Sequence, residues 1–253
     1  MHVDFSAAAA DFPDPFRLLV KDELASTNDE AGALARAGAP HGLVVLARSQ
    51  TTGRGRRGAR WFSADGDSLT FSVLLRPPEA REFWPRLALA AGVAVARALA
   101  GYGLRPGIKW PNDIWLDDKK VAGILVEGGD QFAIVGIGLN VNSRGFPPEV
   151  AELATSMALQ SSAIFDPAEV LQRVIDEFAE VSTKIGDEFA QTVAEVRQRC
   201  VLSGEEVRLV TAGVARCGCV LGVGDAGELV FEGAAGVEKL IQADDIRLVR
   251  HGR

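Results

Sequence analysis

The run Gly53-Arg54-Gly55-Arg56-Arg57-Gly58, with Arg60 and Trp61 close behind, puts three glycines and three arginines into six residues. No acidic residue lies between Ser49 and Ala64, although the chain as a whole carries a formal net charge of -7. The run is therefore a positive island on a negative chain. Glycine lets the backbone bend and approach a ligand closely. Arginine presents a planar fork of donors matched to phosphate and carboxylate oxygens. A pliant cationic loop of this kind suits a polyanion such as ATP. It is not a P-loop, because the Gly-Lys-Ser/Thr ending is absent. Read alone, it also fits a solvated basic loop or an RNA-binding segment of the arginine-glycine type.

A chain of 253 residues accommodates one large domain, or one domain and a small module. Its hydrophobic fraction of 47% and charged fraction of 24% are those of a water-soluble globular protein. The acidic balance argues against general nucleic-acid binding, so no DNA partner is expected. The longest apolar stretch, Leu87 to Ala96, is too short to cross a bilayer, and no membrane association is expected. Met1 to Pro15 lacks a basic region followed by an apolar one, and is read as a flexible leader rather than a secretory signal. Cys200, Cys217 and Cys219 make an odd count without four-ligand spacing, and His2, His41 and His251 are scattered. No zinc site is expected, and a cytoplasmic location is.

Outward from the loop, Phe16 to Leu24 and Gly42 to Ala47 read as strands, with a helix between them that opens at Ser26-Thr27. Thr27-Asn28-Asp29-Glu30 fits a capping box with Thr27 as the cap. Ser68 to Leu75 is a strand that stops at Pro77-Pro78, and Arg86 to Gly101 is a buried helix. Short strands follow at Ile108 to Trp110 and Ile114 to Leu116, then a hairpin of Val121 to Glu127 and Gln131 to Val141. Pro167, after Asp166 as a cap, begins a helical stretch to about Arg199 that Gly186 splits. Beyond Ser203-Gly204, five short β-like runs in about fifty residues predict a small β-barrel. The expected class is α+β, with a leader at 1–15, a mixed sheet with helices on one face at 16–202, and a β-module at 203–253.

Three further segments carry chemistry beside the loop. Ser26-Thr27-Asn28 is either simple capping or a set of hydroxyl and amide groups that bind a polar ligand head at a helix N-terminus. Lys109-Trp110-Pro111-Asn112-Asp113 puts a lysine, an amide and a carboxylate on a proline-bent turn. Lys119-Lys120-Val121-Ala122-Gly123-Ile124-Leu125-Val126-Glu127 faces Gly136-Ile137-Gly138-Leu139-Asn140-Val141-Asn142, and alternate glycines in a strand suggest a narrow slot with close backbone approach.

In this order and spacing, with Trp61-Phe62-Ser63 and the weaker Ala154-Thr155-Ser156, these segments closely resemble the biotin protein ligases. The resemblance covers about residues 16 to 142 and extends more weakly to the C-terminal module. It implies a catalytic domain related to the class II aminoacyl-tRNA synthetases, plus a small SH3-like β-barrel. It implies a two-step reaction. The biotin carboxylate attacks the α-phosphate of ATP, giving biotinoyl-AMP and pyrophosphate, and a lysine of a biotin carrier protein then displaces AMP. A lipoate or octanoate ligase or transferase shares the broader fold and is the alternative.

Carried onto this sequence, the resemblance assigns biotin to Ser26, Thr27, Gln50, Gly53, Arg54, Arg56, Trp61, Lys120, Gly123, Ile124 and Gly136. It assigns the nucleotide to Arg54, Arg56, Arg57, Lys109, Asn112, Lys120 and Asn140. Lys120, Arg56 and Asp113 are the implied catalytic residues, and Asn140 and Asp113 the implied magnesium contacts. Some members of the family clamp adenine with an aromatic after the Gly-x-Gly-x-Asn strand; Phe146 is the candidate here. The partner implied is the biotin carboxyl carrier domain of a carboxylase, with the enzyme a monomer or homodimer. The residues before the first strand are too few for the DNA-binding domain found in some relatives.

Overall fold

A computed structural model describes residues 3–62 and 67–249. The first sheet contains β1 (Arg17–Leu24), β2 (Leu43–Gln50), β3 (Ser68–Leu75), β4 (Gly107–Lys109), β5 (Asp113–Leu116), β6 (Lys119–Gly128) and β7 (Ala133–Asn140). Its order is β1-β2-β3-β7-β6-β5-β4. β1 and β2 run parallel, and the remaining pairs are antiparallel.

Period-2 alternation divides the sheet into two faces. On one, Val44, Leu46, Phe71, Val73, Val135 and Ile137 join the main core beneath α3 (Arg86–Ala100) and α5 (Pro167–Val181). On the other, Val45, Leu74 and Ile134 pack under α2 (Thr27–Arg36) through Ala31 and Ala35. This corrects the expectation of helices on one face only. Every residue of β3 is buried, as a strand covered on both sides must be. The polar residues Thr70 and Ser72 fall on the α2 side, where they do not disturb the larger core.

Two further corrections concern the N-terminal third. The 1–15 segment is not a free leader, because it contains α1 (Ser6–Ala10), which packs on α5. Phe5, Ala8 and Phe12 recur at helical spacing and are buried in the main core. Arg48 donates to the Val3 carbonyl at 2.8 Å, and Gln172 to the Asp11 carbonyl at 3.1 Å. The cap of α2 is Ser26 rather than Thr27. Ser26 has extended φ/ψ and its Oγ accepts from Asp29 N at 3.4 Å, which leaves Thr27 N to donate to Gln50 Oε1 at 2.7 Å.

After β7 come α4 (Met157–Ser161), capped by Ser156, then α5 and α6 (Phe189–Arg199), with Gly186 in the break between the last two. The remaining strands are β8 (Glu206–Thr211), β9 (Val214–Val223), β10 (Leu229–Gly233), β11 (Gly236–Leu240) and β12 (Asp245–Leu248). They form a separate antiparallel sheet in the order β11-β10-β9-β8-β12. This second sheet is tied to the first unit. The buried Trp110 donates from Nε1 to the Gly227 carbonyl at 2.8 Å, and Arg197 Nε donates to the Val223 carbonyl at 2.6 Å. A Cβ on Gly227 would come within 2.7 Å of Leu89, so the β9–β10 turn seats closely against α3 and α6. Among the described residues, no helix is long and apolar enough to cross a membrane.

Docking of α1 is directly testable. Phe12→Ala should lower unfolding stability by about 3 kcal/mol, the scale of a truncated core aromatic. Urea unfolding measures it, and a loss below about 0.5 kcal/mol, the range of ordinary surface substitutions, would show that the segment does not belong to the core.

Candidate active site

Strand register builds the floor of the site. Asp113 pairs with Gly123, Gly123 with Gly138, and Gly138 with Thr70, so four adjacent strands contribute one row. The next row on the same face is Leu125, Gly136 and Ser72. The glycines leave gaps in the surface of the sheet, and other side chains fill them. A Cβ on Gly138 would lie 2.3 Å from the Trp61 indole, and one on Gly136 would lie 2.2 Å from Asn28 Oδ1. A Cβ on Gly123 would meet Lys120 Cε and Nζ at 2.9 Å. The slot anticipated from the alternate glycines is therefore occupied by Trp61, Asn28 and Lys120, which border a cavity of about 280 Å³.

The wall at the start of α2 is polar and buried. Ser26, Thr27 and Asn28 are each under a tenth exposed. Ser72 Oγ lies 2.6 Å from Asn28 Oδ1 and 2.7 Å from Thr27 Oγ1. Asn28 Nδ2 donates to Glu127 Oε2 at 2.6 Å. Glu127 is also within 3.2 Å of Arg54, which clasps Asp29 at 2.7 Å. Arg54 thereby fastens the cationic loop to α2 and β6.

The loop doubles back on itself. Gly55 N donates to the Ala59 carbonyl at 2.6 Å and Trp61 N donates to the Gly53 carbonyl at 2.9 Å, so the Arg54 and Arg60 backbones pair antiparallel. Arg57 at φ 57° and Gly58 at φ 78° make the reversal, both with the positive φ that costs glycine least. Arg57 forms an ion pair with Asp244 of the second sheet. Arg56 instead turns inward and donates to Asn112 Oδ1 at 3.2 Å. Burial depresses its pKa, the adjacent Arg57 adds to the effect, and Asp113 opposes it. A half-buried guanidinium facing an amide, with no carboxylate in ion-pair contact among the described residues, suits an anionic ligand.

The β5–β6 hairpin supplies the remaining charges. Asp117 and Asp118, both at positive φ, form its two-residue turn. Lys119 stays exposed, while Lys120 turns in and pairs with Asp113 Oδ1 at 2.7 Å. Its Nζ also lies 5.9 Å from the Trp61 ring centroid. Asn112 is pinned by its own hydrogen bond to the Ile124 carbonyl at 2.8 Å. Burial pushes the Lys109 pKa down, with Asp113 and Asp245 acting against it, and its Nζ lies 4.8 Å from the Trp115 ring centroid.

Of the residues singled out in the sequence, Ser26, Thr27, Gln50, Arg54, Arg56, Arg57 and Trp61 line the cavity. So do Lys109, Asn112, Asp113, Lys120, Gly123, Ile124 and Gly136. Gly53 and Asn140 do not. A Cβ on Gly53 would run into the Trp61 carbonyl at 2.7 Å, so Gly53 shapes the loop from behind. Asn140 is buried and donates to the Thr155 carbonyl at 2.9 Å. Ser63 lies outside the described residues. Sequence reasoning missed Ser72 and the stretch Ala243 to Ile246, which reaches the cavity from the second sheet, and gave no role to Glu127 at the end of its quoted segment. The adjacent acids Asp244-Asp245, in a chain whose cationic loop needed partners, were the available signal for that stretch.

A slotted sheet with a cationic loop, two inward lysines and a polar buried end defines a site that joins a small molecule to an anion. The model of the biotin/lipoate A/B protein ligase family matches residues 24–142. The bifunctional ligase/repressor BirA of Bacillus spizizenii is 34% identical over 236 residues, which cover 90% of this chain and 73% of that protein. The biotin--[acetyl-CoA-carboxylase] ligase of Mycobacterium tuberculosis is 32% identical over 237 residues, covering 91% of this chain and 88% of the relative. The biotin protein ligase of Aquifex aeolicus, solved in complex with biotin and ATP, is similar at a TM-score of 0.82 and 31% identity over 92% of this chain and 98% of that one. The chain belongs to the biotin/lipoate A/B protein ligase family.

Gly138→Ala places a methyl group inside the Trp61 ring contact. It should destabilise the fold by about 1–3 kcal/mol, the usual cost of overpacking, and shift the tryptophan emission to the red. An unchanged melting curve and spectrum would show that Trp61 does not rest on Gly138.

Proposed function

We infer that this protein is an ATP-dependent biotin protein ligase: it adenylates biotin, releases pyrophosphate, and transfers the biotinoyl group to a lysine of a biotin carrier protein. The observation that carries the reading is the single cavity shared by the polar end of α2, the Trp61-lined slot and the inward cations Arg56 and Lys120. Relatives similar over most of the chain are biotin ligases, and this sets aside the lipoate or octanoate alternative.

The reaction brings two anions together, and fixed positive charge in a water-poor site lowers the cost of their approach. Lys120 and Arg56 are the groups proposed to meet the biotin carboxylate and the α-phosphate. The Asp113 contact keeps Lys120 from swinging out to solvent until an anionic substrate competes for it. Ser26, Thr27 and Gln50 are proposed to hold the ureido ring, and Trp61, Ile124 and the bare backbone of Gly123 the apolar body. Asn112, pinned to β6, positions Arg56. Arg57 and Lys109 add to the positive potential at the nucleotide end. Asp113, once Lys120 turns to the phosphate, is placed to receive the acceptor's ammonium.

Magnesium enters as the metal complex of ATP, and hence as part of the substrate. No cluster of three or more His, Cys, Asp or Glu side chains suited to a metal exists among the described residues. Of the cavity's carboxylates, Asp244 and Asp245 are paired with Arg57 and Arg247, and Asp113 with Lys120, which the substrate is proposed to draw away; Asn140 is engaged with Thr155. One carboxylate suits an ion held mainly by phosphates and water. Phe146, partly exposed in the loop after β7, is proposed as the adenine contact. The antiparallel second sheet is proposed to be an SH3-like barrel beginning near Ser203, beside a synthetase-like catalytic unit that begins near Phe16. The proposed setting is the cytoplasm, as a monomer or homodimer.

Magnesium-dependent ATP–pyrophosphate exchange with biotin, lipoate and octanoate tested separately decides the activity. Exchange with biotin alone is expected, and exchange with lipoate alone would reassign the substrate. Lys120→Ala should slow single-turnover adenylation about 100-fold, and near-normal adenylation would remove Lys120 from the mechanism. Arg56→Gly should release biotinoyl-AMP into solution, measured as free adenylate by rapid filtration. Unchanged retention would count against a closing role for the loop.

A further inference from the structure

The hydrogen bonds behind the cavity, running from the half-exposed Glu127 to the buried Ser72 and Thr27, form a chain with only one consistent direction. A carboxylate can only accept, so Glu127 Oε2, 2.6 Å from the Asn28 amide, must face Nδ2. Asn28 Oδ1 is then turned toward Ser72, whose hydroxyl carries one proton and must donate it there, at 2.6 Å. With that proton committed, Ser72 Oγ can only accept from the second hydroxyl beside it, Thr27 Oγ1 at 2.7 Å. Thr27 lines the cavity, and its backbone N–H is already given to Gln50 Oε1 at 2.7 Å. Its hydroxyl proton points back into the protein, so the cavity meets only the oxygen lone pairs.

We propose that Glu127, Asn28 and Ser72 act as positioning residues that fix the Thr27 hydroxyl as an obligate acceptor, and that this relay selects a ligand presenting an N–H at that point. The proposal rests on the reading of the cavity as a biotin site and names what in it discriminates. A ureido N–H satisfies the lone pairs. A ring oxygen in the same place would set lone pair against lone pair, and an alkyl chain or disulfide ring would leave a buried acceptor unsatisfied. None of the three relay residues needs to touch the ligand. Ser72 is wholly buried, and Gly136 must lack a side chain because the Asn28 carboxamide occupies that space.

The test is calorimetric titration of the whole protein with biotin and with two cyclic carbamate analogues, each replacing one ring N–H by oxygen. The wild type should bind one carbamate at least about tenfold more weakly than biotin, the scale of one unsatisfied buried acceptor. Ser72→Ala frees the Thr27 proton, so the ratio should collapse to within about threefold, whereas a purely structural defect would weaken all three ligands alike and leave the ratio unchanged. Glu127→Gln still offers Asn28 an acceptor and should keep the ratio. Glu127→Ala lets the carboxamide turn over and should lose it. Equal binding of biotin and both carbamates by the wild type, a comparison that needs no variant to fold, overturns the relay. So does a ratio that survives Ser72→Ala or Glu127→Ala. A wild type that binds no biotin and shows no exchange would instead overturn the biotin reading on which the relay rests.

Discussion

Asn28 over Gly136 is the contact on which the site depends. A carboxamide sits in the volume that any other residue's Cβ would occupy, and it is the point where α2, β3, β6 and the cationic loop are joined. Burying so many polar atoms is costly unless each finds a partner. Here the partners are one another: Ser72 from β3, Glu127 from β6, and Arg54 through Glu127 from the loop. The network therefore does two jobs. It satisfies the polar end of a sheet covered on both faces, and it sets where the loop leaves β2.

Charge is divided within the loop in a way that composition alone does not reveal. Three arginines within four positions look equivalent in the sequence, yet each has a different environment. Arg54 is spent on Asp29 and Glu127, Arg57 on Asp244, and Arg56 turns inward against an amide. Two of the three thus hold the loop in place, and the third provides the positive charge inside. Lys119 and Lys120 divide similarly: they alternate faces along β6, and a register shift against β5 between Ile114 and Trp115 brings Lys120 onto the Asp113 and Gly123 face.

Much of this was legible beforehand, for identifiable reasons. β3 was read with its observed bounds because Ser68 to Leu75 is an unbroken run of strand-compatible residues ended by prolines. The helix at Arg86 and the hairpin of β6 and β7 were equally plain. The alternate glycines of β7 announced close approach, though not that Asn28 and Trp61 would be what approaches. Helices on both faces were missed because α2 presents mainly small alanines to the sheet, a weak hydrophobic signal. The docking of α1 was missed because Met1 to Pro15 was read as a flexible leader, and the spacing of Phe5, Ala8 and Phe12 was not recognised as a buried face. Ser72 could not have been singled out and Glu127 was quoted only as the end of a segment, since their importance lies in register. Each stands beside a glycine or a carboxamide that is distant in the chain.

The ion pair between Arg57 and Asp244, and the reach of Ala243 to Ile246 into the cavity, bear on how such proteins can be recombined. The strands from Glu206 onward form a sheet of their own, and that change of topology would tempt anyone grafting one relative's C-terminal sheet onto another's catalytic unit. Chemistry crosses that boundary. Trp110 leans on Gly227, Arg57 on Asp244, and Lys109 feels Asp245. A chimera joined at that seam would inherit two intact folds and a mismatched active-site rim, so the exchangeable unit is the second sheet together with the arginines it anchors.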